Sequence, residues 1–331
     1  MATIKSVALQ AGVSIASVSR VINGVVARED TEDRVWKAVK DQGYQTNSAA
    51  RALKVRKSEQ ICLSFDDISN PAYASMTRGV GQVISGSDYR LVLSSAFSSV
   101  EEIIKHLESM GRGFADGLII SPIYSDPRIT QLLSKLKIPV VLVGSLPRGV
   151  SVDNVWVDSA AGIEIAIQHL RNNGRQSIGL INGPTTTNPG RKRRAGFKVA
   201  IEQNGLNFSE ENIIQAAAFS IDAGYSAAKD FKDFSKFDAM LCSNDQIAAG
   251  FMKYCNEVGI SIPIDLAVVG IDNTDLGSII RPSLTSIDLH AEKRGAIAAQ
   301  LMLDRLQNPE RPIQKIVVDP TLVIRETSGK L

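Results

Sequence analysis

Arg20 and Asn23 stand three residues apart near the amino terminus, with Ala16 and Ser19 at helical spacing beside them. On a helix these four share one face. A guanidinium, a carboxamide and small polar groups presented together suit the base edges and phosphates of a DNA major groove. No comparable arrangement for bond-breaking chemistry assembles elsewhere. His106, His169 and His290 lie far apart without metal-ligand spacing. Gly111-Arg-Gly113-Phe-Ala-Asp-Gly117 precedes a strand pattern instead of following one, and residues 183–190 lack the Lys-Ser/Thr of a phosphate loop. There is no G-x-S-x-G elbow. No catalytic residue, metal or cofactor is expected, and the chain reads as a non-enzyme.

The elements that must carry the polar face follow from the apolar spacing. Val7, Ala8 and Ala11 recur at helical intervals, Gly12 breaks the run, and Ser14 can cap a second helix whose inner face is Val18, Val21 and Ile22. A third helix follows, with Thr31 as the expected cap, Val35 and Val39 as its stripe, Gly43 as its stop and Tyr44 packing back. Two short helices joined at a glycine turn describe a helix-turn-helix. The next segment, 45–59, is rich in Ala, Lys and Arg and too short to stand alone as a helix. It reads as a hinge that orders only with a partner.

Charge agrees with this division. Residues 1–60 hold ten Lys/Arg against six Asp/Glu, a net +4, whereas the remainder holds 27 against 29. A basic head on a slightly acidic body fits phosphate contact at one end. No stretch approaches the ~18 apolar residues of a membrane helix. Met1-Ala-Thr-Ile-Lys5 has no apolar run behind it, and Cys62, Cys242 and Cys255 sit in or beside apolar runs. A cytoplasmic protein with buried thiols and no membrane partner is expected.

From Gln60 onward, β-branched runs alternate with amphipathic helices. Strands are expected at 61–65, 91–94, 117–121, 140–144, 177–181, 239–242, 266–271 and 316–318, and helices at about 72–86, 99–110, 159–172, 191–204, 222–233, 245–258 and 290–306. Continuous apolar strands alternating with helices predict parallel, doubly wound sheets. Two blocks, about 60–158 and 160–288, predict two lobes. The first takes back 290–318 and the second a C-terminal strand, with a ligand at the carboxyl ends of the strands between them. The expected divisions are thus an all-α helix-turn-helix headpiece at 1–44, a hinge at 45–59 and a two-lobed α/β core at 60–331.

These residues resemble the lactose/galactose-repressor family of bacterial transcription regulators. The likeness runs through Thr3-Ile-Lys-x-Val-Ala-x-x-Ala-Gly-Val-Ser-x-Ala-Ser-Val-Ser-Arg-Val-Ile-Asn23, then Gly43-Tyr44-x-x-Asn47, Asp67-Ile-Ser-Asn70-Pro71 and Ala115-Asp116-Gly117. It continues through Arg193-x-Ala-Gly196-Phe197, Ser243-Asn244-Asp245, Val268-Val-Gly-Ile-Asp272 and Arg281-Pro-x-Leu-Thr285. It implies a homodimeric repressor with a periplasmic-binding-protein-like core. Each headpiece would lay its second helix in one half-site of a palindromic operator, and paired hinges would enter the minor groove.

On that pattern Ile15, Ala16 and Arg20 face bases, Ser14, Ser19 and Asn23 lie near phosphates, and Asn47 joins the DNA contacts. Leu53 would wedge a base step beside Lys54. Three departures stand out: Thr46 replaces a proline before the hinge, the loop Gly24–Asp30 is about one residue short, and Gly144 stands where a polar ligand contact is frequent.

The resemblance also implies an effector site of Arg193, Asn244 and Asp272 from the second lobe, faced by Asn70, Tyr73, Ser121 and Asp158, with Phe219 as an aromatic platform. Of the run Arg191-Lys-Arg-Arg194, only Arg193 is taken as a site residue, the rest reading as a solvated face. Paired Arg, Asp and Asn suit adjacent hydroxyls, so a sugar is the favoured effector, a nucleobase or nucleoside corepressor or a protein partner the alternative. A sugar-binding protein without DNA function is the distant rival.

Overall fold

The computed structural model of the protein describes residues 2–22, 27–44, 57–94, 99–124, 126–145, 149–231 and 233–329. Asn23, Asn47, Leu53 and Lys54, with most of the expected hinge, lie outside the described residues. Contacts divide the chain into two units, Met1–Ser58 and Glu59–Leu331.

The first unit holds α1 (Ile4–Ala11), α2 (Ile15–Ile22) and α3 (Glu29–Gln42). Thr3 and Ser6 form a reciprocal capping box at the start of α1. Gly12 then takes φ 64° to end the helix, a left-handed conformation that favours glycine. Ser14 Oγ accepts the Ser17 N–H at 3.1 Å and so caps α2. Helix α3 begins earlier than its expected cap: Arg28 occupies the N-cap position, and Thr31 lies in the first turn. The reason is electrostatic, since Glu29, Asp30 and Glu32 place three carboxylates at the positive end of the helix dipole. Val7, Ala8, Ala11, Val18, Val21, Val35 and Ala38 close a small core, with Tyr44 packed against it.

The second unit contains two six-stranded sheets. Sheet 1 orders its strands β11-β5-β4-β3-β1-β2, and sheet 2 orders them β12-β10-β9-β8-β6-β7. In sheet 1 these are β1 (Gln60–Phe65), β2 (Arg90–Ser94), β3 (Gly117–Ser121), β4 (Val140–Val143), β5 (Asp153–Val157) and β11 (Lys315–Val318). Sheet 2 contains β6 (Ile178–Asn182), β7 (Ile213–Gln215), β8 (Ala239–Cys242), β9 (Ala267–Ile271), β10 (Thr285–Asp288) and β12 (Thr321–Val323). Only β10 and β12 pair antiparallel among these. Central strands such as β4 and β9 are buried at every position, as sheets covered on both faces require.

Among the described residues nine α-helices follow the first three in chain order. They are α4 (Pro71–Ile84), α5 (Val100–Met110), α6 (Pro127–Lys135), α7 (Ser159–Asn172), α8 (Asn188–Gln203), α9 (Ile221–Phe231), α10 (Asp245–Val258), α11 (Asp275–Ile279) and α12 (Ala291–Gln307), with a short 3-10 turn at Glu210–Asn212. The chain passes between the sheets three times, after β5, after β10 and after β11.

Each lobe contains one helix pair in close approach through reciprocal glycines. A Cβ on Gly79 of α4 would lie 2.0 Å from the Glu292 carbonyl of α12, and one on Gly295 would lie 2.3 Å from the Met76 carbonyl. In the other lobe Gly224 and Gly250 make the same exchange across α9 and α10, at 2.3 and 2.0 Å from Ile247 and Ile221 carbonyls. Backbone on both sides leaves nothing to rotate away. Gly79→Ala is therefore expected to cost on the order of 1–3 kcal/mol as overpacking, read as a fall in thermal midpoint, whereas Gly81→Ala beside it, with open space around its Cβ position, should not.

Candidate functional site

In the helical unit, α2 is amphipathic in the sense the sequence suggests. Val18 and Val21 are buried, while Ser14, Ile15, Ala16 and Arg20 are exposed and Ser19 is half-buried. Ile15 leaves 45% of its surface in solvent although it is a large aliphatic residue. An exposed aliphatic group beside a guanidinium on one short helix matches what reads a thymine methyl and a guanine edge. Arg20→Ala is expected to cost ~1–3 kcal/mol of operator affinity and to relax base preference at one position. Competition titrations against single-base operator variants would show this, and unchanged preference at every position would remove Arg20 from base reading.

In the second unit a cleft of about 700 Å³ opens between the two sheets. Its floor and walls come from loops at the carboxyl ends of β1, β3, β4, β6, β8 and β9, where parallel strands leave their side chains free of the ladder. Asn70, Tyr73, Ser121, Arg193, Phe219, Asn244 and Asp272 all line it. Asp158 does not: its Oδ1 accepts the Ala160 N–H at 2.9 Å and caps α7, the ordinary task of an aspartate before a helix. Asn70 and Asn244 also cap, at the starts of α4 and α10, so their oxygens are engaged while their side chains still border the cavity.

Arg193 and Asp272 form the centre of the second-lobe wall. Both are nearly buried, 3.5 Å apart, and Arg193 also donates to the Ser243 carbonyl. The guanidinium carbon lies 5.7 Å from the Phe219 ring centre. Burial pushes the Asp272 carboxyl up, opposed by the charges of Arg193 and of Arg294 from α12. Asp272 adopts φ 106°, a strained value for a residue with a Cβ and one held in place by its surroundings.

Those surroundings are identifiable. Buried Asp245 accepts from Thr274 N–H at 2.6 Å, Thr274 Oγ at 2.8 Å and Ser286 Oγ at 2.6 Å. Ser286 Oγ receives the Asn273 N–H at 3.0 Å, and Arg325 donates to Asn273 Oδ1 at 2.7 Å. Asp272 thus sits on a loop clamped from behind.

Burial, then the charge of Asp272, pushes the Asp245 carboxyl up to about 7 from its ordinary 3.8. The folded chain therefore keeps this proton over a range where an unfolded aspartate has lost it, and stability falls as pH rises from about 4 to 7. Asp245→Asn is expected to flatten that part of the melting-temperature profile; an unaltered slope would assign it to other groups.

On the first-lobe wall, Tyr73 stacks on Phe65 with ring centres 4.8 Å apart and donates to Asp66 Oδ1 at 2.7 Å. Burial and the neighbouring Asp66 push the Tyr73 hydroxyl well up. Burial also raises the Asp66 carboxyl, which the Tyr73 hydrogen bond opposes. Asp66, Tyr124, Lys192 and Arg294 line the cleft without having been singled out from sequence. Asp66 directly precedes the Asp67 motif and could have been found there. Lys192 is exposed, as a solvated face requires, and it also borders the cleft, with its ammonium 5.7 Å from the Trp156 ring centre. The lobe that α12 joins is expected from sequence, but which of its residues meets the cleft is set by its packing on α4. Among the described residues no group of three His, Cys, Asp or Glu is placed to hold a metal ion, and no helix is long and apolar enough to cross a membrane.

A helix-turn-helix unit with an exposed polar helix, on one chain with a two-lobed α/β unit built around a polar cleft, defines a ligand-responsive DNA-binding regulator. Residues 3–47 match the family model for bacterial regulatory proteins of the lacI family, and residues 167–328 match the periplasmic binding protein-like domain. The ribose operon repressor of Halalkalibacterium halodurans is 33% identical over 333 residues, covering 99% of this chain and 97% of the relative. The chain belongs to the lacI family of bacterial regulatory proteins.

Among solved structures, the transcriptional regulator CelR–cellobiose complex is similar at 27% identity and TM-score 0.75, covering 99% of this chain and 100% of that one. The lac repressor dimer bound to operator and the anti-inducer ONPF has TM-score 0.88 over 99% of both chains, at 23% identity, a likeness of fold.

Proposed function

We propose that this protein is a cytoplasmic repressor that binds a palindromic operator as a homodimer and changes its operator affinity when a small effector, in the first place a sugar, occupies the inter-lobe cleft. A single short reading helix covers one half-site, so two copies of the headpiece are needed to read a full operator. The observation that carries the effector reading is the convergence of Arg193, Asp272 and Phe219 on one cleft wall. A charged pair beside an aromatic ring offers both a bidentate grip on adjacent hydroxyls and a platform for the apolar face of a sugar ring. The ribose operon repressor and the cellobiose-bound regulator, each named for a sugar, support the same class of ligand. Asn23, Asn47, Leu53 and Lys54 complete the proposed DNA contacts.

Occupancy of the cleft biases the angle between lobes, and coupling of ~1–3 kcal/mol alters operator affinity by roughly 5–150-fold. The test is fluorescence anisotropy of the full-length protein on palindromic and scrambled duplexes across a salt series, with and without ribose and cellobiose. A salt-sensitive preference for a palindrome that shifts with sugar is expected. Equal binding to every duplex, or a preference indifferent to all sugars and nucleobases tried, overturns the proposal.

A further inference from the structure

The chain leaves sheet 2 for helix α12 through Asp288, Leu289 and His290. His290 occupies the N-cap position of α12 at φ 51°, a left-handed value in a residue with a Cβ, and its side chain does not cap the helix. The imidazole folds back onto the end of sheet 2 instead. Its Nδ1 lies 3.4 Å from Asp288 Oδ2 and its Nε2 lies 3.2 Å from Thr321 Oγ, and Asp288 and Thr321 face each other across β10 and β12. The His290 N–H adds a bond of 2.6 Å to Asp288 Oδ1. A helix that packs in the first lobe is thus tied, at its start, to the sheet of the second.

Asp288 carries this tie to the wall of the cleft. Its Oδ2 accepts an Nδ2–H of Asn273 at 3.1 Å, and Asn273 directly follows Asp272. Asn273 stands at φ 47° and Asp272 at φ 106°, so both strained residues need holding from outside. Leu289, between Asp288 and His290, lines the cleft and takes the Arg294 Nε–H on its carbonyl at 2.8 Å. One carboxylate therefore joins the loop of Asp272 to the crossover.

The state of the imidazole decides how firm that joint is. A carboxylate only accepts, so Nδ1 carries the proton, and in the neutral ring Nε2 accepts from the Thr321 hydroxyl. On protonation both ring nitrogens donate, and the Asp288 contact gains charge assistance. Histidine is the side chain that makes this change between about pH 5 and 8. The other charged groups on the elements meeting here are Glu292, Lys293 and Arg294 in the first turn of α12, Asp319 in the third crossover and Asp272 itself. Glu292 is already paired with Arg78 of α4.

We propose that His290 is a positioning residue of the effector response: through Asp288 it holds the loop of Asp272 to the crossover into α12, and its protonation tightens that hold and strengthens effector binding. This rests on the reading of the cleft as the effector site, whereas the tie itself is measurable without ligand. Hydrogen exchange by mass spectrometry on the full-length protein, corrected for the intrinsic rate at each pH, reads it in segments 272–275 and 287–291 between about pH 5.5 and 8.

The native protein should lose protection there roughly 3–5-fold as pH rises, the effect of a partly exposed ion pair. His290→Asn, which tolerates positive φ, and Asp288→Asn should each remove that step. Asp245, behind the same loop, titrates in all three proteins and cancels in the comparison. Ribose, cellobiose and inosine are the ligands for calorimetry. Whichever binds should do so roughly 3–5-fold more tightly at about pH 6 than at about pH 8, a gain that His290→Asn lacks. A pH step that survives in both variants, or a ligand affinity whose pH dependence is the same in His290→Asn, overturns the proposal and leaves the effector site standing. Failure of all three compounds to bind overturns the reading of the cleft on which the proposal rests, and the exchange step then decides the tie by itself.

Discussion

Protein beginning at Glu59 is expected to fold and to bind cleft ligands as the full chain does, with no sequence-specific operator binding left. The second unit has its own cores, in which residues such as Phe65, Phe197 and Phe251 are almost wholly buried without help from residues 1–58. The reading helix and the basic excess both leave with the first unit, and what remains has more Asp and Glu than Lys and Arg. Specific recognition exceeds non-specific binding by typically 10³-fold or more, so the loss in a gel-shift titration should be of that order. A truncated protein that still prefers the operator would move DNA recognition out of α2.

The second large effect is expected at Asp272. Asp272→Ala removes the carboxylate between Arg193 and Arg294, leaving two guanidiniums whose charges oppose each other. Breaking a buried pair in this way typically costs about 3–5 kcal/mol, partly in stability and partly in whatever ligand depends on the pair. Effector affinity should fall by about 100-fold or more, and operator binding should persist but no longer respond to effector. Asp272→Asn, which keeps the shape and accepts positive φ more readily than alanine, should melt closer to the native protein while sharing the loss of response. A normal response in Asp272→Asn would take the charge of this residue out of ligand recognition.

Much of this arrangement is legible in the sequence, for physical reasons. Helix periodicity and the stops at Gly12 and Gly43 fix the helical unit, because a left-handed residue is a local property. The apolar runs of β1, β3, β4, β8 and β9 announce buried parallel strands. What stays hidden is whatever depends on distant partners. The strands β5, β7 and β10 are not anticipated: β7 is only three residues long, and β5 and β10 carry polar residues that are buried by tertiary contacts, Asp153, Asn154, Thr285 and Ser286. Helix α11, five residues long, escapes for the same reason of length, and α6 is not anticipated either.

At the cleft, a cap and a ligand contact look alike in sequence, since both place Asp or Asn after a strand. Only geometry separates Asp158, whose oxygen is spent on Ala160, from Asp272, whose oxygen faces Arg193. Arg294 becomes visible as a cleft residue once Gly79 and Gly295 are seen to bring α12 onto α4.

The three passages between sheets also set the order in which synthesis can complete the protein. When residue 288 has been made, sheet 2 lacks only β12, yet sheet 1, begun well over a hundred residues earlier in the chain, still lacks β11 and the helix that supplies Ala298, Ala299, Leu301 and Met302 to its core. The lobe started first is therefore completed only after most of its neighbour has been made, together with that neighbour's last strand. Amino-to-carboxyl folding, one lobe after the other, is closed to this topology, and a nascent chain stalled before residue 291 carries an unfinished first lobe beside a nearly finished second.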